Sequence, residues 1–223
     1  MLFFQQKVNF MNKLFTMLYN HPLFKGMKEV EITDILSKLK RQRYKDEQII
    51  YSIGKTQFSI GFILSGLVSI NKIDYWGNRS IITKLTQGEI FAEAFSFSNI
   101  EELPVNIVAH KDSEVLFITR AQFGFFSVKY PQLMQNMLYI MATKNHYLTQ
   151  KIDIISKRKT REKILAYLSQ QVEMQRAYTF SIPLNRNELA DFLSVDRSAL
   201  SSELSKMRQE GILQYHKNTF TLL

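Results

Sequence analysis

The stretch Asn185-Arg-Asn-Glu-Leu-Ala-Asp-Phe-Leu-Ser-Val-Asp-Arg-Ser-Ala-Leu200 decides how the C-terminal third of the chain folds. Asn185 and Glu188 stand at capping-box spacing, so a short polar side chain can accept from the first turn while the glutamate reaches back. The helix they open, Arg186 to Leu193, buries Leu189, Ala190 and Leu193. Ser194-Val195 makes a turn, Asp196 caps a second helix from Arg197 to Gln209, and Gly211 supplies a left-handed terminator. On the second helix Leu200, Leu204 and Met207 share one face, and Arg197, Ser198, Ser201, Ser202 and Ser205 take the other. Ile212–His216 and Thr219–Leu222, joined at Lys217-Asn218, read as a hairpin wing.

These features predict a winged helix-turn-helix, although an ordinary helical hairpin satisfies the capping and burial equally. A helix lying in a major groove needs short or flexible polar side chains near its N-terminus, where base edges come within reach. Arg197 is the candidate for a guanine, through paired bonds to O6 and N7. Ser198, Ser201 and Ser202 are candidates for bases or phosphates, and Arg186 and Lys217 complete the expected DNA-binding set.

Upstream, the residues after Pro131 have a seven-residue period. Met134, Met141, Leu148 and Ile155 form one series, and Leu138, Asn145 and Ile152 a second. Together they have the form of the seam of a parallel two-stranded coiled coil, with polar Asn145 fixing register. One amphipathic helix packed on its own domain is the competing reading. The junction Ser156-Lys-Arg-Lys-Thr-Arg161 contains Lys157-Arg-Lys159, either a solvated helix end or a phosphate contact.

The N-terminal part differs in kind. Seven of the eight glycines lie at or before Gly124, which suggests a turn-rich β region followed by helices. Helical pieces at Asn9 to Tyr19 and Glu31 to Lys38 precede strand-like runs at Gln48–Tyr51, Phe62–Leu64, Leu67–Ile73, Ser80–Leu85, Val105–Ala109 and Glu114–Ile118. Turn signals at Ser65-Gly66, Tyr75-Trp76-Gly77-Asn78 and Gln87-Gly88 separate them. The expected fold class is therefore α+β: an antiparallel β-roll, a long dimerisation helix and a winged helix-turn-helix. The expected domains are 1–130, 131–158 and 159–223.

Composition narrows the function classes. The 223 residues are 45% hydrophobic and 22% charged, which is ordinary globular composition. The longest apolar stretch, Ile60 to Ile70, is interrupted and too short to cross a bilayer, so no membrane partner is expected. Zero cysteines exclude a disulfide framework, a thiolate metal site and a Cys-ligated iron–sulfur cluster. The start, Met1-Leu-Phe-Phe-Gln-Gln-Lys, lacks the features of an export signal, so a cytoplasmic location is expected. The net charge is +9, and +4 of it falls in residues 156–223, which favours a polyanionic partner. Gly54-Lys55-Thr56 imitates the end of a phosphate-binding loop, but Ile49 stands where that motif needs glycine. His21, His110, His146 and His216 show no metal-ligand spacing, so no metal site and no haem signal is read. No nucleophile–base set appears, and an enzyme is not expected. The choice lies between a homodimeric DNA-binding regulator and a ligand-binding or protein-interaction dimer that does not bind DNA. The Arg/Ser face favours the first.

With these motifs in place, the chain resembles the Crp/Fnr family of bacterial transcription regulators over nearly its whole length. Phe62-Ile-Leu-Ser-Gly-Leu-Val-Ser-Ile70 looks like a glycine turn of the family's roll. Gly88-Glu-Ile-Phe-Ala-Glu93 resembles the stretch ending in the family's pocket glutamate, and Glu188 to Leu200 is the most specific match. The resemblance implies a cyclic-nucleotide-binding-like roll that senses an effector and a dimer helix that passes the change to DNA readers. It also implies double-stranded DNA with a roughly palindromic operator as partner, self-association, and RNA polymerase if the protein activates. The implied effector pocket comprises Phe91, Ala92, Glu93, Leu103, Leu148 and Thr149.

Departures limit that inference. In cyclic-AMP-binding members a Gly-Glu pair precedes an Arg that holds the cyclic phosphate, and a Thr on the long helix lies near the adenine. Here those positions read Ala92, Glu93, Leu103 and Leu148, the last followed by Thr149. Thr86 through Ala109 holds Glu89, Glu93, Glu101 and Glu102 and no Lys or Arg. A cyclic phosphate there would be buried among carboxylates without a cation, at a cost of several kcal/mol. Cyclic AMP is not expected to bind, and the effector is left unknown. Phe91, Phe95 and Phe97 read as core of the roll. On the reading helix the family's Arg-Glu-x-x-x-Arg pattern survives only as Arg197, with Ser198 and Ser202 at the other positions.

Overall fold

Strand formation in the N-terminal unit starts from runs that alternate or are continuously apolar. The structure, a computed structural model, describes residues 17–73 and 79–223. The expected helix at Asn9 to Tyr19 falls mostly, and the turn at Tyr75 to Asn78 wholly, outside the described residues. The chain divides into two units, Met1–Ala142 and Thr143–Leu223.

In the first unit, strands β1 (Lys40–Tyr44), β2 (Ile49–Tyr51), β3 (Ile60–Ile73), β4 (Arg79–Thr86), β5 (Ile90–Phe91) and β6 (Asn106–Ile118) form one antiparallel sheet. Its order is β1-β6-β3-β4, with β2 also on β6 and β5 also on β3. Two expected strand pairs are single strands here. Phe62–Leu64 and Leu67–Ile73 are halves of β3, and Val105–Ala109 and Glu114–Ile118 are halves of β6. The expected turn at Ser65-Gly66 is instead a bulge, where register shifts on both sides of Ser65. Gly66 holds it open. Its φ is +93°, and a Cβ there would fall 2.1 Å from Ser113 Oγ. That hydroxyl in turn accepts from Leu67 N at 3.1 Å, so the bulge keeps its backbone satisfied.

Strand β1 carries no hydrophobic signal, because Lys40-Arg-Gln-Arg-Tyr44 reads as a charged loop. It forms because Arg43 faces Glu114 across the ladder. Arg41 and Arg43 both bind Glu114 Oε1, at 2.5 and 2.9 Å.

Helix α1 (Glu29–Lys38) begins two residues earlier than expected, with Glu31 accepting from Lys28 N at 2.8 Å. A short helix α2 (Glu93–Phe97) follows β5. Helix α3 (Arg120–Lys129), absent from the sequence reading, is opened by a Thr119/Gln122 capping box. Helix α4 (Pro131–Ser156) follows at once. Its first half buries Leu133 and Met137 in a cluster with Leu23, Phe24, Ile32, Ile35 and Phe123. Asn136 donates to the carbonyls of Leu23 and Lys25, both at 2.9 Å.

The second unit holds the C-terminal half of α4, α5 (Thr160–Gln175), β7 (Thr179–Ser181), α6 (Arg186–Leu193), α7 (Arg197–Gln209), β8 (Leu213–His216) and β9 (Thr219–Leu222). Its three-stranded sheet has the order β7-β9-β8. Strand β7, in the stretch before Pro183, has no apolar run to mark it. Alternation explains it: Phe180 pairs with Phe220 inward, while Thr179 with Thr221 and Ser181 with Thr219 exchange hydroxyl contacts outward. Ile154, Ile164, Leu168, Leu193, Leu204 and Phe220 share one core. Among the described residues no helix is long and apolar enough to cross a membrane.

Candidate nucleic-acid interface

The reading surface is built on α6, the turn after it, α7 and the β8–β9 wing. Asn185 Oδ1 accepts from Asn187 N and Glu188 N at 2.9 and 3.0 Å, and Glu188 Oε2 accepts from Asn185 N at 2.7 Å. This is the capping box that the spacing indicates. The connection from α6 to α7 is the three residues Ser194 to Asp196, and both helices have the bounds that the sequence indicates. Asp196 has the extended backbone of a cap, but its side chain makes no capping bond, which corrects the sequence expectation. The cation of Lys163 takes over at the other end of the turn, where Nζ donates to Leu193 O and Ser194 O at 3.1 and 3.2 Å. A positive charge at a helix C-terminus is favoured there.

Helix α7 ends in a Schellman arrangement. Gly211, at φ +74°, donates to Arg208 O at 3.2 Å, and Ile212 N donates to Met207 O at 3.0 Å. Leu200, Leu204 and Met207 are fully buried. Arg197, Ser198, Ser201 and Ser202 are all exposed on the opposite side. Ser205, expected among them, is half-buried against the wing, 3.5 Å from the Tyr215 hydroxyl.

Two acidic side chains on this segment are neutralised from α5. Arg161 Nε donates to Glu203 at 2.6 Å, and its two terminal nitrogens donate to Glu210 at 2.7 and 2.8 Å. Glu210, first, and Glu203 hold the guanidinium more firmly protonated than usual, and Arg161 holds the Glu210 carboxyl below its ordinary range. Sequence reasoning missed Arg161 and Lys163, because nothing in their own helix marks them as supports for a helix some forty residues on.

Arg186 departs from its expected place. Its guanidinium lies over the rings of Tyr215 and Phe220, at 5.1 and 5.6 Å, and donates to Lys217 O at 3.4 Å. Burial weakens its hold on its proton. The side chain braces the wing. Lys217 is exposed at the wing tip with φ +52°.

The seam residues lie on α4. Met134 and Leu138 are exposed in the first unit, where Met141 packs partly against the core. In the second unit Asn145, Leu148 and Ile152 are exposed and Ile155 is half-buried.

In the roll, Phe91, Ala92, Glu93 and Leu103 are all buried. Ala92 stands at φ +62°, a backbone region that suits glycine better. Phe91, Ala92 and Leu103 pack in one apolar cluster with Tyr44, Ile63, Val115 and Phe117. Rings meet edge to face between Phe91 and Phe117 at 6.2 Å and between Tyr51 and Phe117 at 5.9 Å. Leu103 is tied to the loop opposite, its N donating to Lys55 O and its O accepting from Gly54 N, both at 2.9 Å. Leu148 and Thr149 belong to the second unit, and Thr149 Oγ1 bonds back to Asn145 O at 3.0 Å.

A roll followed by a long helix and a winged reader defines a class of transcription regulators, and the comparisons agree. Residues 41–129 match the cyclic nucleotide-binding domain and residues 162–223 the Crp-like helix-turn-helix domain. The chain is 24% identical over 198 residues to the transcriptional activator protein FnrA of Stutzerimonas stutzeri, covering 86% of this chain and 80% of that one. It is 19% identical to the cAMP-activated global transcriptional regulator CRP of Pasteurella multocida, covering 84% and 91%. Among solved structures, the Thermus thermophilus catabolite activator protein is similar in fold, with a TM-score of 0.55 at 23% identity over 91% of this chain and 93% of that one. The chain belongs to the Crp/Fnr family, and it is a transcription regulator with a helix-turn-helix DNA-binding domain.

Proposed function

We propose that the protein acts as a homodimer whose two α7 helices read a roughly palindromic operator, under control of an effector other than cyclic AMP. The observation that carries the DNA reading is the surface of α7. It presents Arg197, Ser198, Ser201 and Ser202 to solvent, while Arg161 takes up the charges of Glu203 and Glu210. A helix with short polar side chains and no free acid on that support side can approach a phosphate-lined groove without charge penalty. Lys217 on the wing adds a phosphate contact.

Pairing along α4 supplies the two-fold axis. Leu148 and Ile152, 55% and 62% exposed in the single chain, gain burial in a dimer, and Asn145 fixes the register. Effector binding in the roll shifts the two α4 helices and sets the α7 helices one DNA turn apart, about 34 Å. If the protein is an activator, RNA polymerase is a further partner.

Cyclic AMP suits this roll poorly. The position of the phosphate-holding arginine is Leu103, which is 1% exposed among apolar side chains. A phosphate placed there would lose hydration without gaining a cation.

Sequencing of genomic fragments captured by the purified protein tests the reading. An enriched palindrome whose affinity falls steeply with salt supports it. Capture with no sequence enrichment, or a chain that remains monomeric at micromolar concentration, rejects it. Calorimetric titration with cyclic AMP is expected to give no binding, and micromolar binding would reject the effector part alone.

A further inference from the structure

We propose that Asp46, Glu47 and His110 form a binding site for a divalent transition-metal cation on the edge of the roll. One ligand atom from each of the three lies within 4.8 Å of the others. Asp46 and Glu47 sit in the β1–β2 connection and His110 on β6. His110 is distant in sequence from the adjacent Asp46 and Glu47 and meets them because β1 and β2 both pair with β6, so spacing along the chain gives no hint of the cluster.

Each donor is held from behind. Asp46 Oδ1 accepts from Lys111 N at 2.6 Å and from Glu47 N at 3.1 Å, which fixes the carboxylate. Glu47 adopts a left-handed backbone, φ +58°, so two successive carboxylates turn toward the same imidazole. His110 Nδ1 faces Glu47 Oε1 at 2.5 Å. Its Nε2 lies 2.7 Å from Ser69 Oγ, and that hydroxyl accepts from Asn71 Nδ2 at 3.0 Å. Ser69 and Asn71 are 0% and 1% exposed. In the metal-free chain the Nδ1 hydrogen lies between the ring and Glu47; with a cation bound the ring proton sits on Nε2, Ser69 Oγ accepts it, and the Nδ1 lone pair faces the metal. A second hydrogen bond on the far nitrogen is the usual means of orienting a metal-ligating histidine.

One imidazole and two carboxylates favour a borderline ion such as zinc over soft or purely oxygen-seeking cations, with water completing the coordination. The nearby ammonium of Lys45 is engaged by Asp112 at 3.2 Å, which lessens its repulsion of a cation.

The test uses the whole chain, stripped with a chelator and titrated calorimetrically with zinc chloride. One equivalent per chain with micromolar or tighter affinity is expected. Asp46→Asn keeps the oxygen that accepts both backbone N–H groups, so the turn stays intact while the ligand charge is lost. It should weaken zinc binding about tenfold or more, as should Glu47→Gln, and His110→Ala should abolish it. A double variant, His146→Ala with His216→Ala, should bind as the parent does. Should His110→Ala fold poorly, the two carboxylate variants decide. No binding in the micromolar range, or equal binding by parent, Asp46→Asn and Glu47→Gln, overturns the proposal.

Discussion

Gly61 on β3 and Phe91 on β5 stand opposite each other in the ladder, and the far end of the phenyl ring lies against the glycine. A Cβ on Gly61 would lie 2.1 Å from Phe91 Cζ. The ring therefore occupies interior space that a side chain on β3 would otherwise fill, and it closes the aromatic packing with Phe117.

Gly61→Ala should consequently cost about 1–3 kcal/mol of stability, the usual effect of overpacking a well-filled core. Urea denaturation would measure it. Combining it with Phe91→Leu should recover part of the loss. An unchanged midpoint for Gly61→Ala would mean that the ring can swing aside.

Arg197→Ala should weaken binding to the specific site by about 1–3 kcal/mol and relax one base position. Fluorescence anisotropy on the operator and on its single-base variants checks this. Equal loss on specific and random duplexes would assign Arg197 to a phosphate.

Arg186→Ala should act differently. Its ring contacts and its bond to Lys217 O are internal, so removing it should lower stability by about 1–2 kcal/mol. The salt slope of DNA binding should stay as it is. A slope reduced by about one would show instead that the guanidinium neutralises a phosphate.

Leu148→Asp combined with Ile152→Asp should convert the dimer to monomer in sedimentation velocity and abolish operator binding. Both side chains are exposed in the single chain, so the monomer should keep its circular dichroism spectrum. A dimer that survives both changes would place the contact elsewhere.

Acid should loosen the roll through Glu114. Burial pushes its carboxyl upward, but the hydrogen bonds from Arg41 and Arg43 outweigh this and hold it below its ordinary value of 4.5. The folded state therefore binds that proton less readily than the unfolded chain. The stabilisation is complete above about pH 4.5 and is lost as pH falls through the lowered folded value. Glu114→Gln should flatten the acid limb of a stability–pH curve below pH 4.5. An identical limb in both proteins would remove Glu114 from the account.

The sequence by itself determined the elements whose signals are local. The Asn185/Glu188 box, the apolar face of α7 and the Gly211 terminator each involve residues within one or two turns, so the winged reader was legible before any coordinates. Only the tertiary structure decided the rest, because the deciding forces act between distant residues. Strand β1 has no apolar pattern and exists because Glu114 pairs with its arginines. Ser65-Gly66 looks like a turn, yet becomes a bulge because Ser113 from β6 satisfies the backbone there. Arg186 reads as one of the DNA-contacting set, and its packing on Tyr215 and Phe220 is invisible in the sequence because those rings join it only when the wing folds back. Local hydrogen bonds and helical periodicity are written in neighbouring letters; cross-strand charge pairing and ring stacking are not, since they depend on which segments the fold brings together.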